Sequence, residues 1–247
     1  MWVDPPGVSA ILLDIEGTTT PVDFVHSVLF PFSRARVEEF LLRCWERDDV
    51  RTDLVSLRKE HAAEGGDVAD LPSWQDEPAE ARQQSAVQYL HWLMDRDRKS
   101  TALKSIQGKI WEAGYRSGEL RGQVYPDVAP ALARWRGQGK EIAIFSSGSV
   151  LAQKLLFENS SVGDLTRFIG SYFDTTTGSK RDEESYRRIA QALGRPPSEI
   201  LFLSDVAAEL VAAARAGMRT ALCVRPGASE PGTSGNPIVR TFNEVFP

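Results

Sequence analysis

Short aliphatic runs of the kind that form buried strands occur once near the start of the chain and three times in its second half. Apolar residues at helical spacing separate the later runs, as in residues 128–135 and 186–193. Strands that alternate with helices predict an α/β fold, a doubly wound parallel sheet with a Rossmann-like core. The four runs are Val8–Leu13, Glu141–Phe145, Glu199–Leu203 and Thr220–Val224.

The long stretch between the first two runs has a different pattern, with apolar residues at helical spacing and no clear strand. Residues 61–78 contain two glycines and two prolines and predict a loop between two of its helices. We therefore predict a core domain formed by residues 1–21 and 121–247, with an all-helical cap domain at 22–120. The alternative is a single domain with one unusually long crossover. The helical positions are Val37, Phe40, Leu41 and Cys44, then Ala86, Tyr89, Leu90 and Leu93, then Leu103, Ile106 and Ile110.

Composition excludes several classes of protein. The 247 residues are 42% hydrophobic and 26% charged, as in ordinary soluble globular proteins. A net charge of −5 gives no general attraction to nucleic acid or to an anionic membrane, and no apolar stretch is long enough to span a bilayer. The amino terminus has no pattern of a secretion signal, so we expect a cytoplasmic protein.

Cysteine content and helical patterning bear on compartment and assembly. Cys44 and Cys223 are far apart in the sequence and have no metal-binding spacing, so neither a disulfide framework nor a zinc site is indicated. No long heptad pattern is present. We expect a monomer in a reducing compartment.

Two acidic residues follow the first predicted strand, in the order Asp14-Ile15-Glu16-Gly17. Ligands of open parallel sheets bind at the carboxyl ends of the strands. If strand geometry continued, Asp14 and Glu16 would point to the same side, before Gly17 turns the chain. One carboxylate would then attack or bind a metal while the other handles a proton. The alternative is a solvated acidic turn.

Polar residues also follow the next two predicted strands. Ser146 and Ser147 precede a helical pattern, and hydroxyl and backbone N–H groups at a helix start form an anion site. The alternative is a serine that only caps the helix. Asp205 follows the third run and would join Asp14 in holding Mg²⁺, whereas its alternative role is helix capping. Glu209 would lie in the helix that follows.

Lys180 lies just before the helical pattern 182–193. There its ammonium group would neutralise a bound phosphate or an acidic nucleophile, and the alternative is a surface lysine. The preceding Gly178-Ser179 resembles the end of a P-loop. The earlier glycine and the following Ser or Thr of that motif are missing, which excludes a nucleoside-triphosphatase.

In this order the acid pair, the hydroxyl, the lysine and the further acid resemble the four-motif signature of the haloacid dehalogenase (HAD) phosphatase superfamily. A closer resemblance, to the enolase-phosphatase or acireductone synthase family, spans essentially the whole chain. Glu16 is the discriminating residue, because most HAD phosphatases are expected to carry Asp there. The stretches that carry the resemblance are 14–22, 26–31, 107–115, 124–128, 146–157 and 201–205.

The resemblance implies roles for particular residues. Asp14 is expected to be the nucleophile and a Mg²⁺ ligand, Glu16 the acid–base and a metal contact through its carbonyl, and Asp205 the third ligand, for one Mg²⁺ per subunit. Ser146 and Ser147 correspond to the substrate-binding pair. Lys180 corresponds to the phosphate-binding lysine.

The resemblance also implies a reaction. The expected activity is Mg²⁺-dependent conversion of 2,3-diketo-5-methylthiopentyl 1-phosphate to acireductone and phosphate in methionine salvage, through an aspartyl-phosphate. His26, Trp111 and Tyr115 are candidates to line the cap side of the site. The alternatives are a HAD phosphatase for another small phosphomonoester, such as a sugar phosphate, and a non-catalytic phosphate- or metal-binding module.

Overall fold

The computed structural model describes residues 3–64, 68, 70–228 and 235–247. Within them, the strands are β1 (Ala10–Leu13), β2 (Glu141–Phe145), β3 (Ser171–Phe173), β4 (Ile200–Ser204), β5 (Arg219–Cys223) and β6 (Ile238–Val239). The α-helices are α1 (Val22–Phe24), α2 (Phe30–Cys44), α3 (Asp48–Ala63), α4 (Ala79–Asp95), α5 (Thr101–Ser117), α6 (Val128–Gly137), α7 (Val150–Glu158), α8 (Glu183–Ala192) and α9 (Ala207–Arg215).

All the described strands join one parallel sheet in the order β3-β2-β1-β4-β5-β6. The chain builds outward from β1 to β2 and β3, then returns to the other side of β1 to add β4, β5 and β6. The direction of winding therefore reverses at β1. A crevice opens at the carboxyl end of the strands where the order of a doubly wound sheet reverses. The fold thus places the residues that follow β1 in the position where such sheets bind ligands.

The predicted α/β class is confirmed, and β2 spans the predicted residues. The other three predicted strands are displaced by one or two residues at their ends, as expected from local patterns. Two strands have no counterpart in the prediction, β3 and β6. They contain only three and two residues, too few to show a period, and β3 is only partly buried.

The chain divides into two compact units. Unit 1 comprises Met1–Val25 and Arg121–Pro247, and unit 2 comprises His26–Leu120. The boundary at residue 120 coincides with the one drawn from the sequence, whereas the first boundary falls after Val25 rather than after Pro21. A π-helical turn over Val25–Leu29 contains that division and leads directly into α2.

Unit 1 buries both faces of its sheet. Ala10, Leu12, Phe145 and Phe202 alternate along their strands and pack in one cluster with residues of α8 and α9. The alternate residues are buried as well, on the face where α6 packs against β2. Continuous burial explains why the strands appear in the sequence as uninterrupted aliphatic runs rather than as alternating patterns.

Unit 2 contains the helices α2, α3, α4 and α5 around a core of its own. The helix α5 begins at Ser100, whose Oγ accepts a hydrogen bond from Leu103 N (2.9 Å), and ends at Gly118 in the left-handed conformation. The helix α3 was not identified from the sequence, although Val50, Leu54 and Leu57 are buried along one of its faces. Of the predicted loop 61–78, residues 65–67 and 69 lie outside the described part.

Among the described residues, no helix combines the length and apolar character needed to cross a membrane.

A buried ion pair holds the segment that returns the chain to unit 1. The guanidinium of Arg225 donates to Asp127 Oδ2 (2.6 Å) and to the carbonyl of Thr18 (2.8 Å). It lies between the rings of Tyr125 and Phe242, at 4.4 and 4.3 Å from their centroids. Arg225 is 4% exposed, so its positive charge is stabilised by the Asp127 carboxylate rather than by water.

We expect Arg225→Met to lower the free energy of unfolding by about 3 kcal/mol, because it leaves the Asp127 carboxylate buried without its cation. Urea denaturation of the purified protein measures the loss. The control is Arg187→Met, which removes a solvent-exposed pair with Glu183 and should leave stability unchanged. Equal effects of the two substitutions would contradict a structural role for the buried pair.

Candidate active site

The chain turns sharply as soon as β1 ends. The N–H groups of Thr18, Thr19 and Thr20 all donate to the carbonyl of Ile15, at 3.2, 2.9 and 2.8 Å. Strand geometry therefore does not continue from Asp14 to Glu16, and the condition for their pointing to the same side is not met. Asp14 itself stays attached to the sheet, because its N–H donates to Leu203 O of β4 at 3.0 Å.

Gly17 allows this turn to pack against Asp205. Its φ is +69°, and a Cβ atom at this position would lie 2.1 Å from Asp205 Oδ2. Next to it, Thr18 Oγ1 accepts a hydrogen bond from Asp205 N at 3.1 Å. The loop after β1 thereby positions the first residue after β4, and Arg225 holds the same loop through the Thr18 carbonyl.

Lys180 joins two buried carboxylates. Its Nζ lies 2.6 Å from Asp14 Oδ1 and 2.6 Å from Glu209 Oε2. Ser204 Oγ donates to the same Glu209 oxygen at 2.9 Å, and Tyr186 Oη donates to the Lys180 carbonyl at 2.7 Å. Both the side chain and the backbone of Lys180 are therefore fixed by groups from α8, α9 and the sheet.

Burial and charge act in opposite directions on these groups. Burial raises the pKa of Asp14 to about 7, and the Lys180 ammonium opposes this rise. Burial alone would lower the pKa of Lys180, but Asp14 and Glu209 outweigh it, so that pKa lies above its ordinary value. Lys180 therefore remains a cation at neutral pH, held against Asp14.

The two predicted substrate-binding serines follow β2, the neighbour of β1. Ser146 is buried, with its N–H donating to Phe173 O (3.1 Å) and its Oγ accepting from Gly148 N (3.2 Å). Ser147 is exposed. Ser149, rather than either of these, caps α7 by accepting from Ala152 N. The capping alternative thus applies to Ser149 rather than to Ser146 or Ser147.

The oxygen atoms around Asp14 and Asp205 suit a hard divalent cation. Asp205 Oδ1 is buried and has no hydrogen-bond partner among the described residues, and burial raises the pKa of Asp205. No group of three acidic, histidine or cysteine side chains in the described part of the chain forms a complete ligand set. Glu16 and Thr20 form a parallel bridge, in which Thr20 N donates to Ile15 O and Gly17 N donates to Thr20 O. The carbonyl of Glu16 takes no part in these two hydrogen bonds. Carboxylate and carbonyl oxygens are the donors that Mg²⁺ takes, so the chemistry of these groups fits the ion.

Three contributors to this site were not assigned such roles from the sequence. Glu209 shares Lys180 with Asp14, Thr18 orients Asp205, and Tyr186 holds the Lys180 backbone. The position of Glu209, one helical turn after Asp205, is a signal that it faces the same end of the sheet. Tyr186 is fully buried, so its place in an apolar helical pattern predicts a core residue. Nothing in the local sequence shows that its hydroxyl bonds to Lys180.

The cap-side candidates all belong to unit 2. Trp111 is buried there and its indole N–H donates to Leu29 O at 2.8 Å, so packing accounts for it. Tyr115 is also buried, and its hydroxyl has no partner among the described residues. His26 is exposed, with its ring 5.8 Å from that of Phe30.

Known proteins resemble this chain over nearly its whole length. A model of haloacid dehalogenase-like hydrolases matches residues 8–217. Enolase-phosphatase E1 of Synechococcus elongatus is 52% identical over 241 residues, covering 98% of this chain and 99% of that protein. Enolase-phosphatase E1 of Xenopus tropicalis is 44% identical over 226 residues, covering 90% and 87% respectively.

Solved structures agree with the fold. The UTR4 protein of Saccharomyces cerevisiae superimposes with a TM-score of 0.76 at 33% identity, covering 96% of this chain and 99% of that one. CbbY of Rhodobacter sphaeroides, solved with phosphate, has a TM-score of 0.55 at 19% identity, covering 97% of each chain. The second similarity supports the fold alone.

We expect Gly17→Ala to destabilise the protein by about 1–3 kcal/mol more than Gly194→Ala, because only the first methyl group collides with another residue. Gly194 is a matched control, since its φ is +63° and a Cβ there meets nothing within 4 Å. Chemical denaturation measures both losses. If the two variants are equally stable, the close approach of Gly17 to Asp205 is not a constraint on the fold.

Proposed function

This chain belongs to the enolase-phosphatase E1 family of haloacid dehalogenase-like hydrolases, and on that premise we propose that it is a bifunctional enolase-phosphatase. Its substrate would be 2,3-diketo-5-methylthiopentyl 1-phosphate. The substrate would enolise and then lose phosphate, giving acireductone (1,2-dihydroxy-3-keto-5-methylthiopentene) in methionine salvage. The observation that carries the chemistry is the buried Asp14 carboxylate held by Lys180 where the sheet order reverses.

Asp14 is the proposed nucleophile. Lys180 holds Oδ1, and attack by Oδ2 on phosphorus forms the Asp14 O–P bond as the ester P–O bond breaks. The electron pair of the broken bond leaves on the substrate oxygen. Contact with the lysine cation favours the ionised carboxylate that this attack requires, against the effect of burial.

Glu16 is the proposed proton carrier. It is partly exposed in the turn that follows the nucleophile, so it has access to water. It would protonate the departing alkoxide, then take a proton from the water that attacks phosphorus in the second step. That step breaks the Asp14 O–P bond, releases phosphate and restores the free carboxylate.

Three side chains would bind the phosphate. Lys180 supplies positive charge, while Ser146 and Ser147 supply hydroxyl groups from the loop at the start of α7. Charge on the equatorial oxygens of a loose phosphoryl transition state is stabilised by donors that are already in place. The buried, fixed position of Lys180 meets that requirement.

Asp14, Asp205 and the carbonyl of Glu16 would hold one Mg²⁺. When bound, the ion supplies positive charge to phosphoryl oxygens and polarises a neighbouring carbonyl, which favours an enol. The orphaned Oδ1 of Asp205 is the feature of this chain that supports a cation there.

Unit 2 would act as the cap. It is inserted between β1 and β2, directly after the loop that carries Asp14 and Glu16. Closure of such a domain excludes water and selects the substrate. We further propose that the protein works in the cytoplasm as a monomer on a small diffusible phosphate ester. Its two cysteines are free thiols, the usual state in a reducing compartment.

Asp14→Asn should abolish phosphate release, because an amide is not a nucleophile toward phosphorus. The fold should persist, since Glu209 still pairs with Lys180 in this variant. Free phosphate and the unfolding temperature are the two measurements. Asp164→Asn, at an exposed carboxylate that bonds Thr166, is the control and should keep full activity. Phosphate release by Asp14→Asn at the wild-type rate would refute the assignment of the nucleophile.

Supplying the diketo phosphate with Mg²⁺ should give an enol absorbance before free phosphate appears. The order follows from the proposed sequence of enolisation and then hydrolysis. Stopped-flow absorbance and a coupled phosphate assay record the two events in one sample. Phosphate release from many sugar phosphates, with no enol transient from the diketone, would favour a general phosphomonoesterase instead.

A further inference from the structure

The buried amide of Gln153 connects the loop of Ser146 and Ser147, called here the serine loop, to β3, the strand that precedes Lys180. Gln153 lies in the second turn of α7 and is 2% exposed. Its Nε2 donates to Gly148 O at 2.8 Å and to Phe173 O at 2.8 Å. The first carbonyl belongs to the loop of Ser146 and Ser147, and the second ends β3. One amide group therefore bonds to both segments.

The Phe173 carbonyl is a shared point of attachment. It also accepts a hydrogen bond from Ser146 N at 3.1 Å, so both the serine backbone and the Gln153 side chain converge on it. A carbonyl oxygen has two lone pairs, and these two donors fill them. The position of Ser146 relative to β3 is thus defined from both its backbone and the helix that follows.

A second contact joins the same two segments. The carboxylate of Asp174, the residue after β3, accepts Val150 N at the start of α7 (3.3 Å) through Oδ2. Its Oδ1 accepts the N–H and hydroxyl of Thr176, at 2.9 and 2.6 Å. Asp174 therefore links the start of α7 to the segment that runs toward Lys180.

The other end of that segment is fixed as well. Tyr186 donates to the carbonyl of Lys180 at 2.7 Å, and Arg188 donates to the carbonyl of Thr177 at 3.1 Å. The segment 174–180 is thus attached at its start to the serine loop and at its end to α8. Its freedom to move Lys180 away from the serines is restricted at both ends.

We propose that Gln153 is a positioning residue, which sets the spacing between the hydroxyl groups of Ser146 and Ser147 and the ammonium of Lys180. This inference rests on the proposed function, in which those three side chains bind one phosphate. Gln153 does not contact the phosphate in this role. It acts through the Gly148 and Phe173 carbonyls, so its loss changes the geometry of the phosphate site rather than its composition.

The test is Gln153→Met, which keeps the length of the side chain and removes the amide. Calorimetric titration of inorganic phosphate into the full protein with Mg²⁺ should show a dissociation constant at least about fivefold higher than that of the wild type. Steady-state kinetics should show KM rising more than kcat falls, because the contacts are made to bound substrate and transition state alike.

The control is Trp135→Phe, which removes another buried donor to a backbone carbonyl. The Trp135 indole donates to Val245 O at 2.8 Å from α6, whose end leads into the start of β2, whereas the serines follow the end of that strand. This variant should lower the unfolding temperature and leave phosphate affinity within twofold of the wild type. If Gln153→Met does not fold, Gln153→Asn, too short to reach both carbonyls, replaces it under the same criterion.

Two negative results have different meanings. A Gln153 variant whose phosphate affinity changes less than fivefold, or no more than that of the Trp135 variant, overturns the positioning role alone. Wild-type protein that neither binds inorganic phosphate nor hydrolyses a phosphomonoester overturns the proposed function itself.

Discussion

One ammonium group, Lys180 Nζ, lies between two buried carboxylates, and the geometry of the site depends on it. Asp14 and Glu209 each approach it at 2.6 Å. Without the cation, the two acids would face each other in a medium of low dielectric constant, where burial and repulsion favour protonation. With it, the carboxylate at the end of β1 is held in place, and the ammonium opposes the rise of its pKa that burial causes. A phosphate bound beside Lys180 would meet a cation already fixed in position.

The parallel sheet brings these groups together from distant parts of the chain. Asp14, Ser146 and Asp205 follow β1, β2 and β4, which are neighbours in the sheet. Because side chains alternate along a strand, Asp14 continues the face of Leu12, which α8 and α9 cover. Those helices follow Lys180 and contain Glu209. The pairing of the acids with the lysine thus follows from the register and winding of the sheet.

Local periodicity was enough to predict most of the long elements and the polar residues at their ends. It did not identify β3, β6 or α3. The two strands are too short to show a period, and the few buried apolar residues of α3 are separated in the sequence by many charged ones. It also suggested that Asp14 and Glu16 would share a side, whereas the bonds to Ile15 O end the strand geometry first. The catalytic and ligand roles of the site residues stay predictions.

The sequence by itself determined the α/β class and which polar residue follows which strand, because hydrophobic periodicity and chain order are local properties. Only the tertiary structure decided which groups meet. A lysine side chain is long and flexible, so nothing near Lys180 in the sequence selects Asp14 and Glu209 as its partners. The same holds for Gln153, whose amide bonds to the carbonyl of the last residue of β3. Such contacts depend on the packing of strands and helices that are far apart along the chain.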